Sequence, residues 1–217
     1  MDLRMFGIDI DEKEYKQNRI YKIRFGSSEY PYLLSKIEKP PRVLYAVGNI
    51  DLLHEPAIAI VGTRKPSNDG VKYAKEVAKI FVKRGFVIVS GLALGVDTFA
   101  IKSALENNGK VIAVLPTLGK ITPKSNKKLA EEILNNKGLL ISEWNTKSVQ
   151  RYMFIERNRI ISGISLGIIV IETGIKGGTM WTINYAKKQK RLIIVADIQA
   201  EGNRRLISEG YPMLKFF

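Results

Sequence analysis

The chain has 217 residues, with 35 Lys+Arg against 21 Asp+Glu, no cysteine and a single histidine, for a formal net charge of +14. That length suits one large domain able to bury a full core. The absence of cysteine excludes disulfides and thiolate metal sites, and one histidine excludes clustered-histidine metal centres and argues against a Ser-His-Asp site. The N-terminal Met1-Asp2-Leu3-Arg4 has no apolar signal core. The longest apolar stretch, Ile160–Ile171, is broken by Ser162, Gly163, Ser165 and Gly167 and is too short to span a bilayer. A soluble cytoplasmic protein without a membrane partner is therefore expected. Residues 1–57 are punctuated by Pro31, Pro40, Pro41 and Pro56 and are expected to form an extension packed on the main domain, with an added strand over Val43–Val47. His54, within Leu52-Leu53-His54-Glu55-Pro56, reads as structural.

From residue 58 to 217 strand-like and helix-like segments alternate. Strands are expected over Ile58–Val61, Phe86–Ser90, Val111–Leu115, Leu139–Ser142, Leu166–Ile171 and Leu192–Ala196, the last of them. Helices are expected over Val71–Arg84, Val96–Asn107, Asn126–Asn136, Phe154–Ile161 and Thr179–Lys190. Continuous apolar strands between helices imply a parallel sheet covered on both faces. Right-handed crossovers make this an α/β, Rossmann-like, doubly wound and mostly parallel sheet with helices on both faces.

Three glycine-rich turns follow three of these strands, so in a parallel sheet all three fall on one edge, where backbone N–H groups and positive helix ends favour phosphate. In the first, Gly62-Thr63-Arg64-Lys65-Pro66-Ser67, glycine permits close backbone approach, Thr63 and Ser67 offer hydroxyls, and Arg64 and Lys65 offer charge. The alternative is a plain strand-to-helix turn with Ser67 or Asn68 as the N-cap. The second, Gly91-Leu92-Ala93-Leu94-Gly95, serves either ligand contact or tight helix–sheet packing, with Asp97 in the first helical turn. The third, Gly174-Ile175-Lys176-Gly177-Gly178-Thr179, sets Lys176 beside paired glycines, with Thr179 as the expected N-cap. None matches the dinucleotide or P-loop fingerprint, so no NAD or ATP cofactor is expected. Glu156-Arg157-Asn158-Arg159, close to Tyr152 and Phe154, has the means to pair phosphates and stack bases of a single strand. It equally reads as an exposed helix whose arginines pair with Glu156 or Glu143.

The stretches Ile58-Ala59-Ile60-Val61-Gly62-Thr63-Arg64, Val87-Ile88-Val89-Ser90-Gly91-Leu92-Ala93-Leu94-Gly95-Val96-Asp97, Gly138-Leu139-Leu140-Ile141-Ser142-Glu143 and Arg157-Asn158-Arg159-Ile160-Ile161-Ser162-Gly163 resemble the DprA/Smf family of DNA-processing proteins. So do the approach from Tyr30-Pro31 to Gly48-Asn49 and the tail Gly202-Asn203-Arg204-Arg205-Leu206. The resemblance runs from about Tyr30 to the C-terminus and concerns the family's Rossmann-like domain only. It implies a non-catalytic protein that binds single-stranded DNA without sequence preference, assists a RecA-type recombinase during transformation, and self-associates as a homo-oligomer, commonly a dimer. By position Arg64 matches the family's basic DNA contact. The chain departs from the family at Ile101, at Pro116-Thr117-Leu118-Gly119, at Gly177-Gly178-Thr179 and at Val195-Ala196-Asp197. Rival readings are an intracellular scaffold and a nucleotide sensor or hydrolase related to lysine-decarboxylase-like phosphoribohydrolases. The hydrolase motif Gly-Gly-x-Gly-Thr-x-x-Glu lacks its glutamate here, where Thr182 stands, and leaves Glu172 and Asp97 as the carboxylates at strand ends.

Overall fold

The computed structural model describes residues 19–216, so the first residues, including Met1–Arg4, lie outside the described part. In chain order the elements are β1 (Tyr21–Arg24), α1 (Tyr32–Ser35), β2 (Val43–Gly48), β3 (Ala57–Val61), α2 (Asn68–Lys83), β4 (Val87–Ser90), α3 (Val96–Glu106), β5 (Val111–Val114), α4 (Lys127–Asn135), β6 (Leu139–Ser142), α5 (Arg151–Glu156), α6 (Asn158–Gly163), β7 (Gly167–Val170), α7 (Gly178–Lys188), β8 (Leu192–Ala196), α8 (Glu201–Ser208) and β9 (Met213–Leu214). Short 3-10 turns cover Ile50–His54 and Lys124–Asn126.

The strands form one sheet in the order β1-β2-β6-β5-β4-β3-β7-β8-β9. From β6 to β9 every pairing is parallel, while β2 runs antiparallel to both β6 and β1. The α/β, mostly parallel and doubly wound architecture read from the strand–helix alternation is thus the architecture of the molecule. Every residue of β3, β4, β5, β6 and β7 is buried, as expected of strands covered on both faces. Alternation sends Ile58 and Ile60 into one core with Tyr73, Val77, Ile101, Ala104 and Ile133 of α2, α3 and α4. Ala59 and Val61 point into the other, with Leu34, Ile160, Ile161, Ile183 and Leu206 of α1, α6, α7 and α8. Each fully buried Ile or Leu in these layers contributes roughly 1.5–3 kcal/mol of transfer free energy.

Several boundaries differ from those the periodicity suggests. Residues 21–48 contribute β1 and β2 to the same sheet, with β2 (Val43–Gly48) at the strand expected over Val43–Val47 and β1 beyond it unforeseen. The chain does not end its sheet at Leu192–Ala196, since α8 returns it to pair β9 alongside β8. The single helix expected over Phe154–Ile161 is two short helices joined at Arg157, and residues 158–163 are buried. Ile160 and Ile161 draw that segment into the core beneath the sheet, so it is not the exposed amphipathic helix the charges suggest. His54 lies exposed at the end of its 3-10 turn, next to buried Leu52 and Leu53. No helix among the described residues is long and apolar enough to cross a membrane.

Candidate nucleic-acid interface

Starting from β3, the chain fills the sheet toward β4, β5 and β6 on one side and toward β7, β8 and β9 on the other. Helices α2 and α7 leave this centre on opposite faces. Such a switch point opens a crevice beyond the carboxyl ends of the strands. All three glycine turns meet there, because β4, β3 and β7 are immediate neighbours. The crevice is a cleft of about 820 Å³ lined by Gly62, Thr63, Arg64, Gly91, Arg157, Asn158, Lys176, Gly177, Gly178 and Thr179 among others. Lys65, Ser67, Gly95 and Arg159 are not part of its lining.

The first turn is held from both sides. Thr63 donates its N–H to the Glu172 carbonyl at 2.7 Å, and its own carbonyl accepts the Val96 N–H at 3.1 Å. Its hydroxyl oxygen accepts the Lys65 N–H at 3.2 Å, which shapes the turn and uses that oxygen internally. Ser67 caps α2 by accepting the Gly70 N–H at 3.0 Å, and its own N–H and hydroxyl both donate to Glu172 Oε2 at 2.9 Å. The N-terminus of α2 therefore already carries a carboxylate, and Ser67 is its cap instead of a ligand for phosphate. Gly62 is required by packing, since a Cβ there would lie 2.5 Å from the Val96 side chain. The side chains of Arg64 and Lys65 are exposed and make no hydrogen bond or ion pair among the described residues.

The second turn is filled by the protein itself. Asp97 Oδ2 accepts the N–H groups of Gly91 and Ala93 at 3.0 and 3.2 Å, so these amides are not left for an external anion. Asn126 Nδ2 donates to the Leu92 and Ala93 carbonyls at 3.0 and 3.2 Å and fixes the same turn from below. A Cβ on Gly91 would collide with the Arg157 guanidinium, and one on Gly95, at φ +75°, would meet the Thr63 and Arg64 backbone within 2.6 Å. Both glycines serve close packing of one turn on the next, the second of the two readings their spacing allowed.

The third turn is the open one. Gly177 takes φ +122°, a value that favours glycine, and neither Gly177 nor Gly178 has an atom within 4 Å of its missing Cβ. Helix α7 begins at Gly178 with Gly177 in the cap position, not Thr179, and no side chain caps it and no acidic residue stands in its first turn. Its positive end therefore faces the cleft uncompensated. Lys176 is exposed beside it and unpaired among the described residues. The floor of the turn is fixed by buried Asn203, which accepts the Thr173 N–H at 2.8 Å and donates to the Ile171 and Ala196 carbonyls at 2.7 and 2.9 Å. Asn158 Nδ2 donates to the Gly178 carbonyl at 3.3 Å and ties α6 to the start of α7.

The two arginines of the Arg157-Asn158-Arg159 segment part company. Arg159 Nη2 donates to both carboxylate oxygens of Glu143 at 2.7 and 2.8 Å, and its Nε lies 3.5 Å from Glu156. That pairing, one of the two readings the sequence left open, directs its guanidinium away from the cleft lining. Arg157 is only 6% exposed, donates from Nη1 to the Val114 carbonyl at 2.9 Å, and leaves its Nε without a partner among the described residues. Burial lowers its pKa to about 10, opposed by Asp97 and reinforced by the like charge of Arg64. Burial likewise raises the Asp97 carboxyl above its ordinary value, against the pull of Arg157 and its own hydrogen bonds. A cation is thus present at neutral pH in the lining of the cleft, near enough to Arg64 to feel its like charge.

Tyr152 packs edge-on against Trp144 with centroids 5.8 Å apart and does not line the cleft, whereas Phe154 does. Asp97 and Glu172, singled out from sequence only as strand-end carboxylates, turn out to hold the turns in place. Asn126 and Asn203 were invisible as site residues because their partners, backbone groups and for Asn126 also the Thr98 hydroxyl, lie as many as 34 positions away. Among the described residues no group of three or more His, Asp or Glu side chains is placed to hold a metal ion.

Fold and site together define a Rossmann-like domain with a cleft at its topological switch point. The family model of DNA recombination-mediator protein A matches residues 22–215, and the chain belongs to that family. It is 38% identical over 213 residues to protein Smf of Synechocystis, covering 93% of this chain and 53% of that relative. With DNA processing protein DprA of Streptococcus pneumoniae it shares 38% over 192 residues, 85% of this chain and 67% of the relative. The chain thus spans about half to two thirds of the length of these relatives. The solved structure of the Streptococcus pneumoniae DprA superposes with a TM-score of 0.84 at 34% identity, covering 94% of this chain and 75% of that one. A DprA structure from Helicobacter pylori, described for its single-stranded DNA binding mode, matches with a TM-score of 0.82 at 30% identity over 92% of both chains.

Proposed function

We propose that the cleft binds single-stranded DNA without sequence preference and without catalysing a reaction on it. The observation that carries this reading is the convergence of unpaired Arg64 and Lys176 with the uncapped start of α7 in one cleft. Guanidinium, ammonium and backbone N–H groups all address phosphate, which every nucleotide carries, so their contacts are indifferent to sequence. The likeness to the Helicobacter pylori protein supports a single strand as the ligand. Against hydrolysis, Asp97 is committed to two backbone amides and Glu172 to Ser67, so both carboxylates at the cleft hold structure. Within this proposal the phosphate-facing set is Arg64, Lys65, Lys176, Gly177, Gly178 and Thr179, with Arg157 beneath it. Gly62, Thr63, Ser67, Gly91, Gly95, Asn158 and Arg159 shape or brace that set. A RecA-type recombinase as partner, self-association as a dimer and a cytoplasmic location extend the same proposal, on family membership.

A gel-shift series with single strands of unrelated sequence, the matching duplexes and nucleoside monophosphate competitors tests it. Single strands should shift at similar concentrations whatever their sequence, duplexes should bind more weakly, and monophosphates should compete poorly. Duplex preference, or release of free base from the monophosphates, overturns the reading.

A further inference from the structure

The aromatic that bears on the open turn was not among those the sequence suggested for stacking. Trp181 lies one turn into α7, is 47% exposed and lines the cleft with Leu94, which is 45% exposed, and Phe154. Its neighbours Thr182 and Ile183 are buried against the sheet, so α7 is anchored by one face and presents Trp181 on the other. Side chains on a helix lean toward its N-terminus. The indole is thereby inclined toward the helix start, where Gly177 and Gly178 carry no side chain and a Cβ built on either would meet nothing within 4 Å. Trp144, the second tryptophan, is already packed on Tyr152, whereas Trp181 has no ring or cation partner among the described residues.

We propose that Trp181 is a base-stacking residue for the nucleotide whose phosphate sits at the start of α7, an inference that rests on the single-stranded DNA reading above. The chemistry on the page selects this occupant. Unpaired cations and an uncapped helix start recognise phosphate, and a large exposed ring a few residues along the same helix recognises the flat base attached to it. Stacking is sequence-tolerant because every base has a π-face, so it fits a cleft whose other contacts go to phosphate. One base on one aromatic ring is equivalent to roughly 5- to 150-fold in affinity.

The test compares an oligodeoxythymidylate with an abasic strand of the same length, using the full chain. In a Trp144→Phe background all tryptophan emission comes from Trp181. The thymidylate should quench that emission, while the abasic strand should bind with little quenching. Trp181→Ala should weaken thymidylate binding by at least 5-fold, leave abasic binding unchanged and so erase most of the difference between the strands, with Trp181→Phe restoring part of it. Equal loss for both strands, or thymidylate binding without quenching, overturns the stacking role while leaving single-stranded DNA binding standing. Quenching by thymidine monophosphate as strong as by the strand makes the ligand a free nucleotide and overturns the strand assignment. Absence of binding by either strand removes the single-stranded DNA reading and this inference with it.

Discussion

Arg64 and Arg157 line the same cleft, and their environments give the same side chain two different tasks. Arg157 is buried, holds the Val114 carbonyl and occupies the space that glycine at position 91 leaves open. Arg64 is exposed and unpaired among the described residues, and its charge depresses the Arg157 pKa. Arg157→Ala strips a buried acceptor of its donor, which costs about 1–3 kcal/mol before the void is counted, and thermal unfolding should come several degrees earlier. Arg64→Ala removes no internal contact, so stability should stay within about 0.5 kcal/mol of the parent chain. Its effect belongs to binding: a lost hydrogen bond to a charged group is worth about 1.5 kcal/mol, or roughly 10-fold in affinity for a single strand. Calorimetry beside a binding titration separates the two. An Arg64→Ala chain that unfolds early yet binds normally when folded would make Arg64 a structural residue.

At the scale of elements, three helices begin at the cleft, and they differ in how their first turns are satisfied. Helix α2 has Ser67 and the Glu172 carboxylate, and the turn before α3 has Asp97, while α7 has only glycine. A carboxylate supplied to α7 should therefore separate fold from function. Thr179→Glu places a negative charge in the first turn, which favours the helix dipole by about 0.3–1 kcal/mol, so the melting temperature should hold or rise. The same charge occupies and repels the anion position, so affinity for single strands should fall. A Thr179→Glu chain that binds as tightly as the parent would exclude the start of α7 from the interface. The sequence foretold where the turns lie, because apolar runs followed by glycine mark strand ends whatever their partners. It was silent on which turns were already occupied, since Glu172 reaches Ser67, 105 positions away, only once β3 and β7 are side by side, and Asp97 meets Gly91, six positions back, only once the second turn has folded. Arg159 was ambiguous for the same reason, its partner Glu143 lying 16 positions away across the link from β6. The edge strands β1 and β9 were missed because neither carries the continuous apolar run of the central strands: β1, Tyr21-Lys22-Ile23-Arg24, buries Ile23 alone, and β9 has two residues.

For the whole molecule, the charge of +14 raises the question whether DNA is held by the cleft or gathered by the surface at large. Salt dependence answers it, since each phosphate neutralised on a single strand contributes roughly −0.7 to the slope of log affinity against log salt. With Arg64, Arg157 and Lys176 lining the cleft and Lys65 next in sequence to Arg64, three or four contacts predict a slope of roughly −2 to −3. Lys83 supplies the internal control. It ends the 16-residue helix α2, which starts four positions after Arg64, and so lies roughly 24 Å along the helix from that end. That is about three Debye lengths at physiological ionic strength, where an exposed charge is largely screened. Arg64→Ala and Lys83→Ala remove the same unit of charge from the chain. If the cleft is the interface, the first should flatten the slope by roughly 0.7 and the second should leave it unchanged. Equal flattening by both would mean that the strand is held by the basic surface as a whole, and the geometry of the three turns would then have no bearing on affinity.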